Sequence, residues 1–201
     1  MNKWIMAGTA AAFTGAAAFA RSEYERTHLD VVHYDIKTDK LGLEWNGFKA
    51  VFLSDLHDNS FGMENEELIA AIEKEQPDIV LIGGDMLVVK EWAAPHFDML
   101  ANLYEKLVER YPVYYAFGNH EQRMKEEPLT YPGWWQSYWK VLKDSGMHVL
   151  VNKSEEIIKN GTAMRINGIT LPRECYRKGR IPSLSVGYLD QKLGKASDKN
   201  F

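Results

Sequence analysis

The sequence is short of cysteine, of net charge and of late histidines, and the first two shortages exclude whole classes of site. Cys175 is the only cysteine in 201 residues, so a disulfide within the chain is impossible and a cysteine-rich zinc site is excluded. The net charge of −4 argues against broad electrostatic binding to nucleic acid, and no nucleic-acid partner is expected. No glycine-rich phosphate loop follows the first predicted strand, which disfavours a nucleotide-binding α/β domain.

The first 22 residues differ in composition from the rest of the chain. Residues 4–20 are uncharged and rich in alanine, follow Lys3, and end with Ala18 and Ala20 in a small-x-small arrangement. This pattern predicts that residues 1–22 are a signal peptide or an N-terminal membrane anchor, with a soluble alanine-rich helix as the alternative. The protein is therefore expected to be membrane-associated or exported, and the sequence does not choose the side of the membrane.

The remaining residues, 23–201, alternate between strand and helix patterns. Continuous apolar runs predict strands that are covered on both faces, and amphipathic stretches between them predict crossover helices. Such alternation implies a parallel sheet with right-handed crossovers. The predicted strands are 29–36, 50–53, 78–82, 113–117, 147–151, 155–159 and 164–171, the predicted helices are 64–76, 91–110 and 134–144, and 173–201 is predicted to be a loop or frayed terminus.

Three polar motifs directly follow the three most apolar predicted strands. They are SDLH at 54–57, GGD at 83–85 and GNHE at 118–121. Each motif alone is a common turn sequence. Because the carboxyl ends of parallel strands lie at one edge of a sheet, where ligands bind, the three motifs are expected to lie close together. The motifs supply carboxylate, imidazole and amide groups, which are ligands for hard or borderline cations. The sequence therefore predicts a metal site at this edge.

The order and spacing of the motifs resemble those of the calcineurin-like metallophosphoesterases. In that family the pattern runs D-x-H, then G-D, then G-N-H-[DE], and here Asp85 lies 30 residues after Asp55 while Asn119 lies 34 residues after Asp85. The resemblance covers about residues 49–171. It implies an α/β fold, a metallophosphoesterase-like β-sandwich flanked by helices in four α/β/β/α layers, for residues 23–201. Within the family, the chain also resembles, more weakly, the membrane-associated bacterial branch. This resemblance rests on residues 21–47, on SDLH at 54–57 and on PDIV at 77–80.

The resemblance also implies a dinuclear metal centre and a reaction. Asp55 and His57 would hold one ion, Asp85 would bridge, Asn119 would hold the second ion, and His120 would be the catalytic residue that assists the leaving oxygen. The ions would be two divalent or trivalent Mn, Fe or Zn ions, and a metal-bound hydroxide would attack phosphorus in line. The implied substrate is a phosphorylated small molecule or a lipid-linked phosphate.

The sequence departs from the family after residue 171. Family members carry a later isolated histidine and a G-H-x-H segment, and no histidine follows His148 here. We therefore expect residues 23–201 to be a partial, C-terminally truncated domain, and this chain itself to be weakly active or inactive. The alternative to a metal-dependent phosphoester hydrolase is a catalytically incomplete fragment or a non-catalytic metal-binding module.

Overall fold

The computed structural model describes residues 3–177, 179 and 182–195. Its helices are α1 (Lys3–Thr27), α2 (Glu66–Glu75), α3 (Phe97–Val108), α4 (Asn119–Glu126), α5 (Trp134–Asp144) and α6 (Tyr188–Leu193). Its strands are β1 (Ala50–Leu53), β2 (Ile79–Ile82), β3 (Val113–Tyr115), β4 (His148–Val149), β5 (Lys153–Lys159) and β6 (Thr162–Gly168). Short 3-10 helices lie at Leu43–Trp45, Met63–Asn65 and Arg173–Tyr176.

Strands β1 to β4 form a parallel sheet in the order β1-β2-β3-β4. The register pairs Ala50 with Ile79, Val80 with Val113, and Tyr115 with Val149. Because the four strands are parallel and helices lie between them in sequence, the predicted α/β class is confirmed. The carboxyl ends of β1, β2 and β3 consequently lie at the same edge of the sheet.

The two faces of the sheet are covered by different elements. Alternate side chains of β2 and β3 point to opposite faces, which explains why these strands read as continuous apolar runs. One face packs against α2, α3 and α5 in the main core, and the other packs against the antiparallel hairpin β5–β6. The strand residues in the helix-covered core are Val80, Ile82, Val113 and Tyr115, whereas Ile79, Leu81 and Tyr114 lie in the second cluster with Ile157 and Ile166.

Some predicted elements differ from those in the structure. The strand predicted over 29–36 is wrong: these residues are irregular, they pair with no strand in the described part of the chain, and Val32 and Tyr34 are exposed. The helix predicted over 91–110 begins only at Phe97, since Pro95 disfavours helical backbone at the residue before it. Residues 173–195 include a 3-10 helix and α6 rather than only a loop, and 196–201 lie outside the described residues.

The N-terminal segment forms α1, which extends past the predicted boundary at residue 22 to Thr27. Among the helices that the structure describes, none combines the length and the apolar character that a membrane span requires. The signal-peptide or anchor assignment of residues 1–22 stays a prediction, and residues 1 and 2 lie outside the described range.

Candidate metal centre

The loops after β1 and β2 run side by side and continue the pairing of the two strands. The backbone N–H groups of Asp55 and His57 donate to the carbonyl oxygens of Gly84 and Asp85, each at 3.1 Å. Asp58 donates in the same way to Met86 at 3.1 Å. Two of the three predicted motifs are therefore fixed against each other by main-chain hydrogen bonds.

The loops after β2 and β3 touch through their glycines. A Cβ atom added to Gly84 would lie 1.9 Å from the backbone nitrogen of Gly118, and one added to Gly118 would lie 2.4 Å from the carboxyl group of Asp85. Gly84 also has a φ of +93°, which L side chains rarely adopt. Only glycines allow this backbone contact, and the contact brings the second and third motifs together.

Glu121, in the first turn of α4, clamps the second and third loops from inside the protein. Its side chain is completely buried and accepts four hydrogen bonds. The donors are the backbone N–H groups of Asp85 (3.0 Å), Met86 (3.3 Å) and Gly118 (2.9 Å), and the hydroxyl of Tyr115 (2.7 Å). Burial raises the pKa of Glu121, while these donors, which favour the carboxylate, act in the opposite direction.

A chain of three buried tyrosines supports Glu121. The hydroxyl of Tyr138 lies 2.7 Å from those of both Tyr104 and Tyr115. Because Tyr115 donates its single proton to Glu121, Tyr138 must donate to Tyr115, and Tyr104 must donate to Tyr138. Burial raises the pKa of all three tyrosines, so they stay neutral donors. The chain connects the candidate centre to α3 and α5.

The loops after β1 and β2 have strained backbone at and beside the candidate ligands. Asp55, His57 and Asp58 have φ values of 57°, 53° and 58°, and Asp85 has a φ of 52°. A left-handed conformation costs an L residue about 1–2 kcal/mol. Residues are held in such conformations only where surrounding contacts impose them, and this kind of strain clusters at functional sites.

Three side chains of the candidate centre already converge. One ligand atom each of His57, Asp85 and His120 lies within 4.8 Å of the others. Asp85 is almost fully buried and accepts hydrogen bonds from Asn119 Nδ2 at 2.8 Å and from the backbone N–H of His120 at 2.7 Å. The structure thus places three of the other four sequence-predicted site residues, His57, Asn119 and His120, around the Asp85 carboxylate or in contact with it.

The fifth predicted residue, Asp55, lies at the outer edge of the group. Its Oδ1 is 3.7 Å from Nε2 of His57, and its side chain is 62% exposed. Its other oxygen accepts a hydrogen bond from the Ser54 hydroxyl at 2.6 Å. Asp55 therefore reaches the centre beside His57, with little protein around it.

The ring of His120 is oriented by the backbone. Nδ1 accepts a hydrogen bond from the N–H of Val89 at 3.0 Å, which puts the proton of the neutral ring on Nε2. Burial lowers the pKa of His120, although the Asp85 charge acts in the opposite direction. In this tautomer Nε2–H is a hydrogen-bond donor aimed away from Val89, and the ring packs edge-to-face on that of His57 at 5.3 Å between centroids.

Sequence reasoning gave no role to Glu121 or to the three tyrosines. A signal existed in part, because Tyr115 lies in the middle of the buried strand predicted over 113–117, and a buried tyrosine needs a polar partner for its hydroxyl. The partner could not be identified, since Tyr104 and Tyr138 come from two helices that are distant in sequence. Asp58, whose carboxylate accepts from the backbone N–H of Val88 at 2.8 Å, serves the loop structure.

The parallel sheet and the group of acidic, imidazole and amide side chains at its carboxyl edge define an α/β protein with a candidate metal centre. The chain belongs to the calcineurin-like phosphoesterase family, whose family model matches residues 48–193. The match includes all three motifs and the elements that carry them.

Two bacterial relatives show the same similarity over part of the chain. It is 32% identical over 117 residues to "Uncharacterized metallophosphoesterase YkoQ" of Bacillus subtilis (strain 168), covering 58% of this chain and 41% of that protein. It is 29% identical over 113 residues to "Phosphodiesterase YaeI" of Escherichia coli (strain K12), covering 55% of this chain and 38% of that protein. The matched segments therefore span only about two fifths of each relative.

Proposed function

We propose that the protein is a metal-dependent phosphoester hydrolase whose centre binds two cations between the loops after β1, β2 and β3. The convergence of His57, Asp85 and His120 within 4.8 Å carries this proposal, because it brings two candidate ligands and one candidate proton donor together. Membership of the calcineurin-like phosphoesterase family and the name phosphodiesterase of the E. coli relative support it.

The donor atoms present fit such a centre. Asp85 has two carboxylate oxygens and lies next to both His57 and Asn119, so it would be able to hold both cations. Asn119 donates from Nδ2 to Asp85, and no described residue donates to its Oδ1, which leaves that oxygen as a ligand atom. Asp55 and His57 would complete the first cation site. Imidazole, carboxylate and amide ligands suit Mn, Fe or Zn.

Two bound cations would activate water as a nucleophile and offset the charge that develops on the phosphoryl oxygens. In this proposal His120 is not a ligand, because binding a cation through Nε2 would require loss of the proton that the Val89 hydrogen bond places there. His120 instead donates from Nε2 to the leaving oxygen or to a phosphoryl oxygen. Glu121 holds the loops that carry Asp85 and Gly118 in register.

The substrate in this proposal is a phosphorylated small molecule. A lipid-linked substrate and attachment to a membrane through residues 1–22 extend the proposal. They rest on the composition of the N-terminal segment and on the weaker resemblance to the membrane-associated branch.

Mn²⁺ titration calorimetry combined with an assay on bis(p-nitrophenyl) phosphate tests the proposal. We expect saturable Mn²⁺ binding that weakens at least about tenfold in Asp85→Asn, since a ligand is lost. The exposed Asp98→Asn on α3 is the matched control and should bind as the wild type does. Slow Mn²⁺-dependent turnover that disappears in Asp85→Asn supports a hydrolase. Mn²⁺ binding with no turnover supports the non-catalytic module, and absence of specific binding contradicts both.

A further inference from the structure

A basic cavity lies beside the candidate metal centre. It has a volume of about 370 Å³ and is bounded by the first turns of α4 and by the 3-10 helix at Arg173–Tyr176. Its lining consists of Asn119, Gln122, Arg123, Arg173, Glu174, Tyr176 and Arg177. The volume falls in the range of roughly 300–1,000 Å³ that is usual for small-molecule sites.

The cavity is lined by three guanidinium groups and one carboxylate. Arg173 forms an ion pair with Glu127 at the end of α4, and this pair ties the 3-10 helix to α4. Within the described residues, neither Arg123 nor Arg177 forms an ion pair. Arginine presents several N–H donors in a planar fork that matches phosphate oxygens. The charge and the donor type both favour a phosphoryl group as the occupant.

The cavity and the candidate metal centre share a wall. Asn119 lines the cavity and also donates to Asp85 at 2.8 Å. Tyr176 also lines the cavity, and partial burial and then the Asp85 charge raise the pKa of its hydroxyl. A group bound in the cavity is therefore next to a phosphoryl group bound at the centre.

We propose that this cavity binds a second, non-reacting phosphoryl group, so that the substrate carries at least two phosphoryl groups. This inference rests on the proposed function, since it takes the reacting phosphoryl group to be held at the metal centre. Arg123 and Arg177 supply positive charges that no ion pair within the described residues neutralises. Arg173, which its ion pair with Glu127 holds in place, supplies a further N–H donor. The negative charge of Glu174 opposes binding.

The first test uses the metal-free chain and inorganic phosphate. Proton–nitrogen correlation spectra of the arginine Nε–H groups are followed during titration, at fixed ionic strength. We expect saturable shifts at Arg123 and Arg177, with affinity that falls roughly threefold to fivefold in Arg123→Gln or Arg177→Gln, because a partly exposed charge contact is lost. Glu174→Gln should bind phosphate more tightly, since it removes the opposing charge.

Lys125→Gln is the matched control, because it removes one positive charge from the same helix outside the cavity. Its phosphate affinity should equal that of the wild type. Shifts that do not saturate, or that weaken equally in Lys125→Gln and Arg123→Gln, would overturn the proposal by showing only general charge attraction.

The second test asks whether the cavity prefers a second phosphoryl group. The affinities for methylenediphosphonate and methylphosphonate are compared with each other. Both are measured in the presence of Zn²⁺, whose free concentration a nitrilotriacetate buffer holds constant. We expect the diphosphonate to be preferred, and the preference to fall several-fold in Arg123→Gln while Zn²⁺ affinity is unchanged. If Zn²⁺ and methylphosphonate bind but no preference exists, this inference fails and the proposed function stands. If Zn²⁺ does not bind, the proposed function fails, and the metal-free titration still decides whether the cavity binds phosphate.

Discussion

The inner and outer halves of the candidate metal centre are built differently. In the inner half, Asp85 and Glu121 are 7% and 0% exposed, and each is held by several hydrogen bonds. In the outer half, the side chains of Asp55 and His57 are 62% and 42% exposed, and protein contacts hold their backbone more than their side chains.

The difference indicates which part of the centre the fold prepares before a cation binds. The inner half is fixed by contacts that stabilise the protein itself, namely the glycine contact, the Glu121 clamp and the tyrosine chain. The outer half has strained backbone at Asp55 and His57 with few side-chain partners, so a cation would supply the missing contacts. Substitutions in the inner half should therefore affect stability, with Asp85 affecting metal affinity as well, and those in the outer half should affect metal affinity alone.

The largest effect is expected from Gly84→Ala. The new methyl group would overlap the backbone of Gly118, and the left-handed φ would be strained as well, for a total loss of about 3–4 kcal/mol in the free energy of unfolding. Gly133→Ala is the matched control, because Gly133 has a φ of +78° but nothing within 4 Å of its added Cβ. It should cost about 1–2 kcal/mol. Equal losses in urea denaturation would mean that the backbone contact has no energetic role.

Glu121→Gln should cost nearly as much, about 3 kcal/mol. The amide keeps the size of the side chain but turns an N–H₂ group toward donors, leaving buried N–H groups without an acceptor. Glu126→Gln, on the exposed side of the same helix, should change the unfolding free energy by less than about 0.5 kcal/mol. A Glu121→Gln protein as stable as wild type would show that the clamp does not need a carboxylate.

The direction of donation along the tyrosine chain predicts that Tyr138→Phe lowers the free energy of unfolding more than Tyr104→Phe does, and both effects should be smaller than that of Glu121→Gln. Tyr138→Phe leaves the buried hydroxyl of Tyr104 without an acceptor and should cost about 1–2 kcal/mol. Tyr104→Phe leaves every remaining hydroxyl with its acceptor and should cost less than about 1 kcal/mol. The order is read from chemical denaturation midpoints, and the reverse order would contradict the inferred direction of donation from Tyr104 toward Glu121.

Asp55→Asn should have the smallest effect on folding and a clear effect on metal binding. The side chain is exposed, so the unfolding free energy should change by less than about 0.5 kcal/mol. Calorimetric Mn²⁺ affinity should fall about tenfold, as expected for loss of a ligand. If the fall in affinity is absent, Asp55 is a loop residue only and has no part in the centre.

The sequence predicted the strands, helices and turns that depend on the local pattern of apolar and turn-forming residues. The apolar runs located β1, β2 and β3, α5 matches its predicted span of residues 134–144, and the motifs after the strands lie together because parallel strands share a carboxyl edge. The hairpin turn between β5 and β6 falls on Asn160 and Gly161, both with positive φ. These features depend on neighbours in the chain.

The sequence did not predict features that depend on contacts between distant segments. The four donors to Glu121 come from two loops and a strand, and the tyrosine chain joins α3, β3 and α5. The basic cavity combines α4 with a 3-10 helix in a segment predicted to be a loop. The strand predicted over 29–36 failed for the same reason, since alternation of side chains cannot supply a partner strand.

The most direct test of the central claim is paramagnetic broadening of backbone amide signals by substoichiometric Mn²⁺. A shared centre between the three loops predicts that the signals of Asp55 to Asp58, Gly84 to Met86 and Gly118 to His120 broaden together at the same Mn²⁺ concentration, and that Asp85→Asn reduces all three effects in parallel. Broadening confined to one loop, or broadening of the three loops with different affinities that Asp85→Asn leaves unchanged, would contradict a common metal centre.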